Sequence, residues 1–218
     1  MKYLLSATCI IGQLAYIIQY EKKNIRPAVF FKTIASLSFL LLGYLNKQNS
    51  DSSMDLFLLI GLFFDALGDI LLVFRNIAYR DMMFIIGTLS FILGHIFYLQ
   101  AFLVSGYPGV LIFALAGFLI GAAVFSYYLK VCTFSLSQKI VGAIYVVLIF
   151  TITGIAVCNF LNEQSLRNIL IMVSTLSFCI SDNILIIYNF SRKEKWMHPL
   201  YTALYYLAQI IMANVIGL

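Results

Sequence analysis

Charge is what this sequence has least of. Asp, Glu, Lys and Arg make up 11% of the 218 residues, against 62% hydrophobic residues. A soluble domain carries about 25% charged and about 45–50% apolar residues. The shortage excludes a water-facing surface of ordinary size and points to a bilayer as solvent, where lipid-facing side chains must be apolar too. Polar stretches are also missing: the longest, Asn46 to Asp55, is too short to fold alone. Proline is rare, with three residues, and Pro27 and Pro108 stand where a helix would begin, where a missing N–H costs nothing. The four cysteines, Cys9, Cys132, Cys158 and Cys179, form no CxxC pair. They read as small hydrophobes in a packed bundle rather than a disulfide framework. No ligand cluster stands at metal spacing, so neither metal nor cofactor is expected. The net charge is +5, but Lys and Arg sit mostly between apolar segments. Topology accounts for them, and no nucleic-acid partner is expected.

What the sequence has is apolar length. Eight segments of about 17–24 residues match the thickness of a hydrocarbon core: Lys2–Tyr20, Pro27–Leu45, Leu56–Phe74, Met82–Ser105, Pro108–Leu129, Lys139–Phe160, Ile169–Phe190 and Trp196–Gly217. The first has one Lys before its apolar run, as a signal peptide does. No small-x-small cleavage site follows, and it reads as the first span. The fourth and fifth are divided by Gly106-Tyr107-Pro108-Gly109, a tight turn signal. The expected fold is all-α: a polytopic membrane bundle of about eight transmembrane helices, one domain over residues 1–218 with short loops.

Short loops rich in Lys and Arg stay in the cytoplasm. The odd-numbered loops and adjoining helix ends hold Lys22, Lys23, Arg26, Lys32, Arg75, Arg80, Lys130, Lys139, Arg192, Lys193 and Lys195, eleven in all, while the opposite side holds three, Lys2, Lys47 and Arg167. The expected location is a bacterial cytoplasmic (inner) membrane, with both termini outside the cytoplasm.

A charge inside a bilayer costs at least about 2.5–3.5 kcal/mol on insertion scales, so each polar residue in these segments needs a reason. Asp65 and Asp69 stand four apart in the third segment and share a helix face. Asp182 lies near the middle of the seventh, and no basic residue is expected at comparable depth. Two carboxyls facing one cavity cannot both ionise cheaply. In the fourth segment Phe84, Gly87, Phe91, His95 and Tyr98 recur at spacings 3, 4, 4 and 3, and the eighth repeats the pattern with His198, Tyr201, Tyr205 and Gln209. The seventh adds Ser174 and Ser181. These faces can converge on a polar pocket. Each also has an ordinary structural explanation: His95, Gln209 and the tyrosines can bond neighbouring helices, and Gly61, Gly68, Gly87 and Gly94 can permit close packing. Lys32, about one turn inside the second segment, can snorkel to the headgroups as a topology anchor or contact a phosphate.

With these motifs the sequence resembles the lysoplasmalogenase family, also called the YhhN-like membrane proteins. The matching stretches are Gly61…Gly68-Asp69-Ile70-Leu71-Leu72, Phe84…Gly87…Phe91…His95…Tyr98, Phe178-Cys179-Ile180-Ser181-Asp182 and Tyr205-Tyr206-Leu207-Ala208-Gln209. Their order and the eight-span layout match too, as does Lys32 near the start of the second span. Asp65 departs from the family pattern, which has a small residue there, and leaves open whether it joins the site. The resemblance implies hydrolysis of the vinyl ether bond of a lysoplasmalogen, a lysophospholipid drawn from membrane lipids, to a fatty aldehyde and a glycerophospho-headgroup.

Vinyl ethers hydrolyse through protonation of carbon, which requires an acid and a group that supports the resulting cation. The expected pair is Asp69 and Asp182, in either order, with Lys32, Asp65, His95, Tyr98, Ser181, Tyr205 and Gln209 binding or supporting substrate. Intramembrane acids also mark proton relays, so a proton-coupled transporter and a non-catalytic lipid-binding protein stand as alternatives.

Overall fold

A computed structural model describes residues 1–48, 50–74, 77 and 80–218, with the backbone alone for Arg80 and Asp81. Arg75 and the Arg80 side chain, counted above in the charge asymmetry, lie outside the described residues. Among the described residues there are eight helices: α1 Lys2–Glu21, α2 Ile25–Lys47, α3 Ser53–Phe74, α4 Arg80–Leu103, α5 Val110–Val131, α6 Leu136–Asn162, α7 Leu166–Phe190 and α8 Met197–Val215. Each end falls within three residues of the expected boundary. Pro108 is a small correction: it precedes its helix, and Gly109 turns the chain with φ 81° so that α5 starts at Val110. That φ is one L side chains rarely adopt. Ser135 opens α6 with a capping box closed by Gln138, and Ser165 opens α7 by accepting from the Asn168 N–H. Both satisfy donors that a helix start leaves unpaired.

Seven helices are long and apolar enough to cross a membrane, and α8 is the exception. Its composition is diluted by His198, Thr202, Tyr205, Tyr206 and Gln209, all of them buried. Those side chains face protein, so α8 does not need the all-round apolar surface of a lipid-exposed helix.

Helix neighbours form a ring in the order α2, α3, α4, α6, α7, α8, with α8 returning to α2. α1 packs against α2 and α8, and α5 packs against α6. The α5–α6 approach is close enough that a Cβ on Gly117 would strike the Phe150 carbonyl, and one on Gly154 the Phe113 carbonyl. The end of the bundle bearing the even-numbered loops is tied shut. Arg167 of α7 pairs with Asp55 of α3, and Asp55 Oδ2 also accepts from Ser50 Oγ at 2.5 Å and from the Gly217 N–H at 3.1 Å. The opposite end carries the cavity.

Candidate active site

A cavity of about 120 Å³ opens within the ring. A single water needs about 10–15 Å³ measured this way, so there is room for several waters or for the reacting segment of a larger molecule. Its walls come from the C-terminal halves of α1, α3, α5 and α7 and the N-terminal halves of α2, α4, α6 and α8. The cavity therefore lies at the odd-loop end. Its polar wall includes Lys32, Asp69, Tyr145, Ser181, Asp182, Thr202, Tyr205 and Tyr206, and its apolar wall includes Leu72, Phe84, Phe91, Phe125, Phe134 and Phe190.

Asp69 and Asp182 both line this space, from α3 and α7, and both are almost fully buried. Their settings differ. Asp69 Oδ1 lies 2.9 Å from Lys32 Nζ. Its Oδ2 accepts from Ser36 Oγ at 2.6 Å, and Ser36 Oγ lies 3.1 Å from the Tyr206 hydroxyl. Asp69 is thus a carboxylate with a cation on one oxygen and a hydrogen-bond chain on the other. Asp182 Oδ2 accepts from the Tyr145 hydroxyl. Among the described residues Asp182 has no ion-pair partner. Beside them, Thr202 Oγ1 and the Tyr205 hydroxyl line the cavity buried and without a well-formed hydrogen bond. Such groups cost free energy unless water or a ligand satisfies them.

Lys32 corrects the sequence reading in two ways. It does not snorkel outward: its ammonium turns into the bundle, its side chain is 15% exposed, and it supplies the basic partner for Asp69 that was not expected at that depth. The reason is electrostatic. A buried carboxylate one helix away attracts the ammonium more than the headgroup region does once both are out of bulk water.

His95, Tyr98, Asp65 and Gln209 do not line this cavity. They form a second cluster one layer deeper. Asp65 Oδ2 accepts from the Tyr98 hydroxyl at 2.8 Å and from Gln209 Nε2 at 2.7 Å, and His95 Nδ1 lies 4.0 Å from Asp65 Oδ1 and 2.8 Å from the Phe91 carbonyl. Helical rise explains the separation. Phe84 to Tyr98 is fourteen residues, about 21 Å at 1.5 Å each, so one stripe passes through two compartments. Phe91, Phe178, Tyr145 and Tyr205 form the aromatic layer between them: Phe91 meets Tyr205 at 6.1 Å and Phe178 meets Tyr205 at 5.2 Å between ring centroids. Ser181 does line the cavity, with its hydroxyl donating to the Tyr201 carbonyl at 2.8 Å. The sequence reading missed Ser36, Tyr145 and Thr202, and it quoted Tyr206 only as part of a matching stretch. Tyr145 had a signal, since a phenol in the middle of an apolar span needs a partner for its O–H. Ser36 and Thr202 had none, because small hydroxyls satisfy themselves within a helix.

Residues 27–216 match the family model described as the YhhN family. The chain belongs to the YhhN family. That family includes lysoplasmalogenases, and the match spans α3 to α8 in full and α2 from Pro27 onward. No curated protein matches the chain, and no solved structure does. The family match and the helices together make this a multi-pass membrane protein of the YhhN type.

Proposed function

We propose that this chain hydrolyses the vinyl ether bond of lysoplasmalogens, releasing a fatty aldehyde and glycerophospho-ethanolamine or -choline. The observation that carries the reading is the pair Asp69 and Asp182 on one cavity in unlike electrostatic settings. Vinyl ether hydrolysis needs a proton donor and a group that supports the resulting cation, and two carboxyl groups can divide these roles when their environments hold them in opposite protonation states. Asp69, beside Lys32, is the ionised member. Asp182, with a tyrosine hydroxyl and, among the described residues, no ion-pair partner, holds the proton.

Asp182 passes its proton to the β-carbon of the vinyl ether, and the electron pair of the C=C bond forms the new C–H bond. The oxocarbenium ion that results is held by the Asp69 carboxylate, as glycosidases hold a similar cation. Water adds to the cationic carbon while Asp69 takes its proton. The hemiacetal then collapses: its O–H proton returns to Asp182, the C–O bond to glycerol breaks, and Asp69 delivers its proton to the departing oxygen. Both acids end as they began. Tyr205 and Thr202 hold the attacking water or the glycerol oxygens. In a bacterial cytoplasmic membrane with both termini outside, the cavity opens to the cytoplasmic leaflet, and substrate enters from there.

The test is aldehyde release from a lysoplasmalogen by purified, detergent-solubilised protein. Asp69→Asn and Asp182→Asn are each expected to lower turnover at least about 10²-fold, the lower end for general acid–base catalysis, while the protein still inserts and folds. The rate is expected to fall as pH rises and Asp182 loses its proton. Deuterated solvent should slow the reaction where carbon protonation limits it. Near-wild-type turnover in either Asn variant would overturn the paired-carboxyl mechanism. No aldehyde from well-folded wild-type protein, with either headgroup, would replace hydrolysis with proton-coupled transport.

A further inference from the structure

The polar wall of the cavity extends beyond the carboxyl pair into a second region, which shares Lys32 and Thr202 with the carboxyl chemistry and adds residues of α1 that this chemistry does not use. This region lies where α1, α2 and α8 meet. Tyr16 and Tyr20 of α1, Lys32 of α2 and Tyr201 and Thr202 of α8 line the wall there. α1 lies outside residues 27–216 that carry the family match, so the match assigns nothing to its residues. Lys32 Nζ sits 5.4 Å from the centroid of the Tyr16 ring. One of its three N–H donors meets Asp69, which leaves donors for a second anion, and the unpaired Thr202 hydroxyl lines the same cavity. That makes one subsite for negative charge.

A complementary subsite stands beside it. The Tyr20 ring stacks on the buried His198 ring at 4.2 Å, and Tyr201 meets the same imidazole edge-on at 5.3 Å. Glu21, the next residue after Tyr20, is half-exposed and brings Oε1 within 2.9 Å of His198 Nδ1. Aromatic faces and a carboxylate together attract a cation. Lys32 already occupies the Tyr16 face, so a ligand cation is repelled from Tyr16 and directed to Tyr20 and Glu21. The chain-bearing end of a substrate has its own wall on the far side of the ring, in Phe84, Phe125, Phe134 and Phe190.

We infer that α1 builds a headgroup subsite for a zwitterionic phospho-ammonium group, with phosphate at Lys32 and Thr202 and the ammonium at Tyr20 and Glu21. This rests on the lysophospholipid reading for its ligand class, but not on vinyl ether cleavage. Tyr20 and Glu21 determine specificity and take no part in bond breaking.

The experiment measures binding of 1-acyl lysophospholipids, which have no vinyl ether bond, to the wild-type full chain in detergent. The probes are lysophosphatidylethanolamine, lysophosphatidylcholine and lysophosphatidylglycerol of one chain length. The zwitterionic pair should bind about tenfold more tightly than the glycerol lipid, a difference of about 1.4 kcal/mol. Glu21→Gln and Tyr20→Ala should each reduce that preference to about twofold while leaving lysophosphatidylglycerol affinity in place, and Tyr20→Phe should retain it, since the ring face does the work. A larger Glu21→Gln effect on ethanolamine than on choline would identify the carboxylate as a hydrogen-bond acceptor for the N–H groups, and equal effects would identify it as a charge partner; either supports the subsite. Equal affinity of wild-type protein for all three lipids would overturn it, as would a uniform loss across all three in Glu21→Gln. Headgroup preference without aldehyde release would sink the hydrolase and keep the subsite, and aldehyde release without headgroup preference would do the reverse.

Discussion

Lys32 and Asp69 lie in contact at 2.9 Å, so a change at one alters the other. Replacing Lys32 by Ala leaves a buried carboxylate without its cation, which under the proposed mechanism disturbs the carboxyl pair and under the proposed headgroup subsite also removes a phosphate contact. Lys32→Ala is therefore expected to raise KM and lower kcat together, each by about tenfold or more: losing a phosphate contact shared by ground and transition states raises KM, and losing the cation that holds Asp69 as the carboxylate facing the oxocarbenium ion lowers kcat. Steady-state aldehyde release resolves the two. A rise in KM with kcat unchanged would mean that Lys32 serves phosphate alone. Asp65 behaves differently, since it holds Tyr98 and Gln209 outside the cavity. Asp65→Ser orphans two buried donors, at a cost of about 1–3 kcal/mol each. The melting temperature should drop clearly while turnover of the folded fraction stays within about tenfold of wild type, less than the loss of a general acid or base produces. The residues were legible in the sequence as a set, because carboxyls, imidazole and amide in apolar spans are conspicuous. Their grouping was not. Asp65 and Asp69 share a helix face, yet one turn of rise sends them to different compartments.

At the scale of elements, hydrophobic length located all eight helices, because a bilayer of fixed thickness demands spans of fixed length. The polarity of α8 has its reason in tertiary contacts: Ser174 Oγ donates to the Ala208 carbonyl at 2.8 Å, Gln209 reaches Asp65, and Tyr206 joins Ser36. The pairing of α5 with α6 rests on glycine. With no side chain at Gly117 or Gly154, each backbone approaches a carbonyl of the other helix, and dispersion from close contact replaces the hydrophobic drive that lipid removes. Gly117→Ala and Gly154→Ala should each separate α5 from α6 and lower thermal stability by about 1–3 kcal/mol, the cost of overpacking. Gly142→Ala, where a Cβ would meet only the Phe125 ring at 3.4 Å, serves as the control and should be nearly silent. A melt in which all three variants match wild type would remove glycine contact as the basis of this pairing.

For the molecule as a whole, the two ends have different jobs. The even-loop end is bound by Asp55, Arg167 and the Gly217 amide, while the odd-loop end holds the cavity and most of the Lys and Arg. With eight spans, positions 51 and 192 fall on opposite sides of the membrane. Cysteine accessibility at Asp51→Cys and Arg192→Cys should report opposite sides, with position 192 cytoplasmic. Labelling of both from one side would discard the eight-span orientation and with it the entry of substrate from the cytoplasmic leaflet.

The sequence by itself determined that the chain lives in a bilayer as a helical bundle, because backbone groups in lipid must be satisfied within each helix and apolar length alone then sets the spans. It also singled out the side chains whose polarity is costly in lipid and which therefore need a partner or a role. Tertiary structure decided which of them meet. That Lys32 turns inward to Asp69, that Tyr145 meets Asp182, and that Gln209 lies below the aromatic floor all depend on the order of helices around the ring and their relative depth. Neither follows from the period of any one helix, since a helical period gives the direction a residue faces and not the neighbour it finds there.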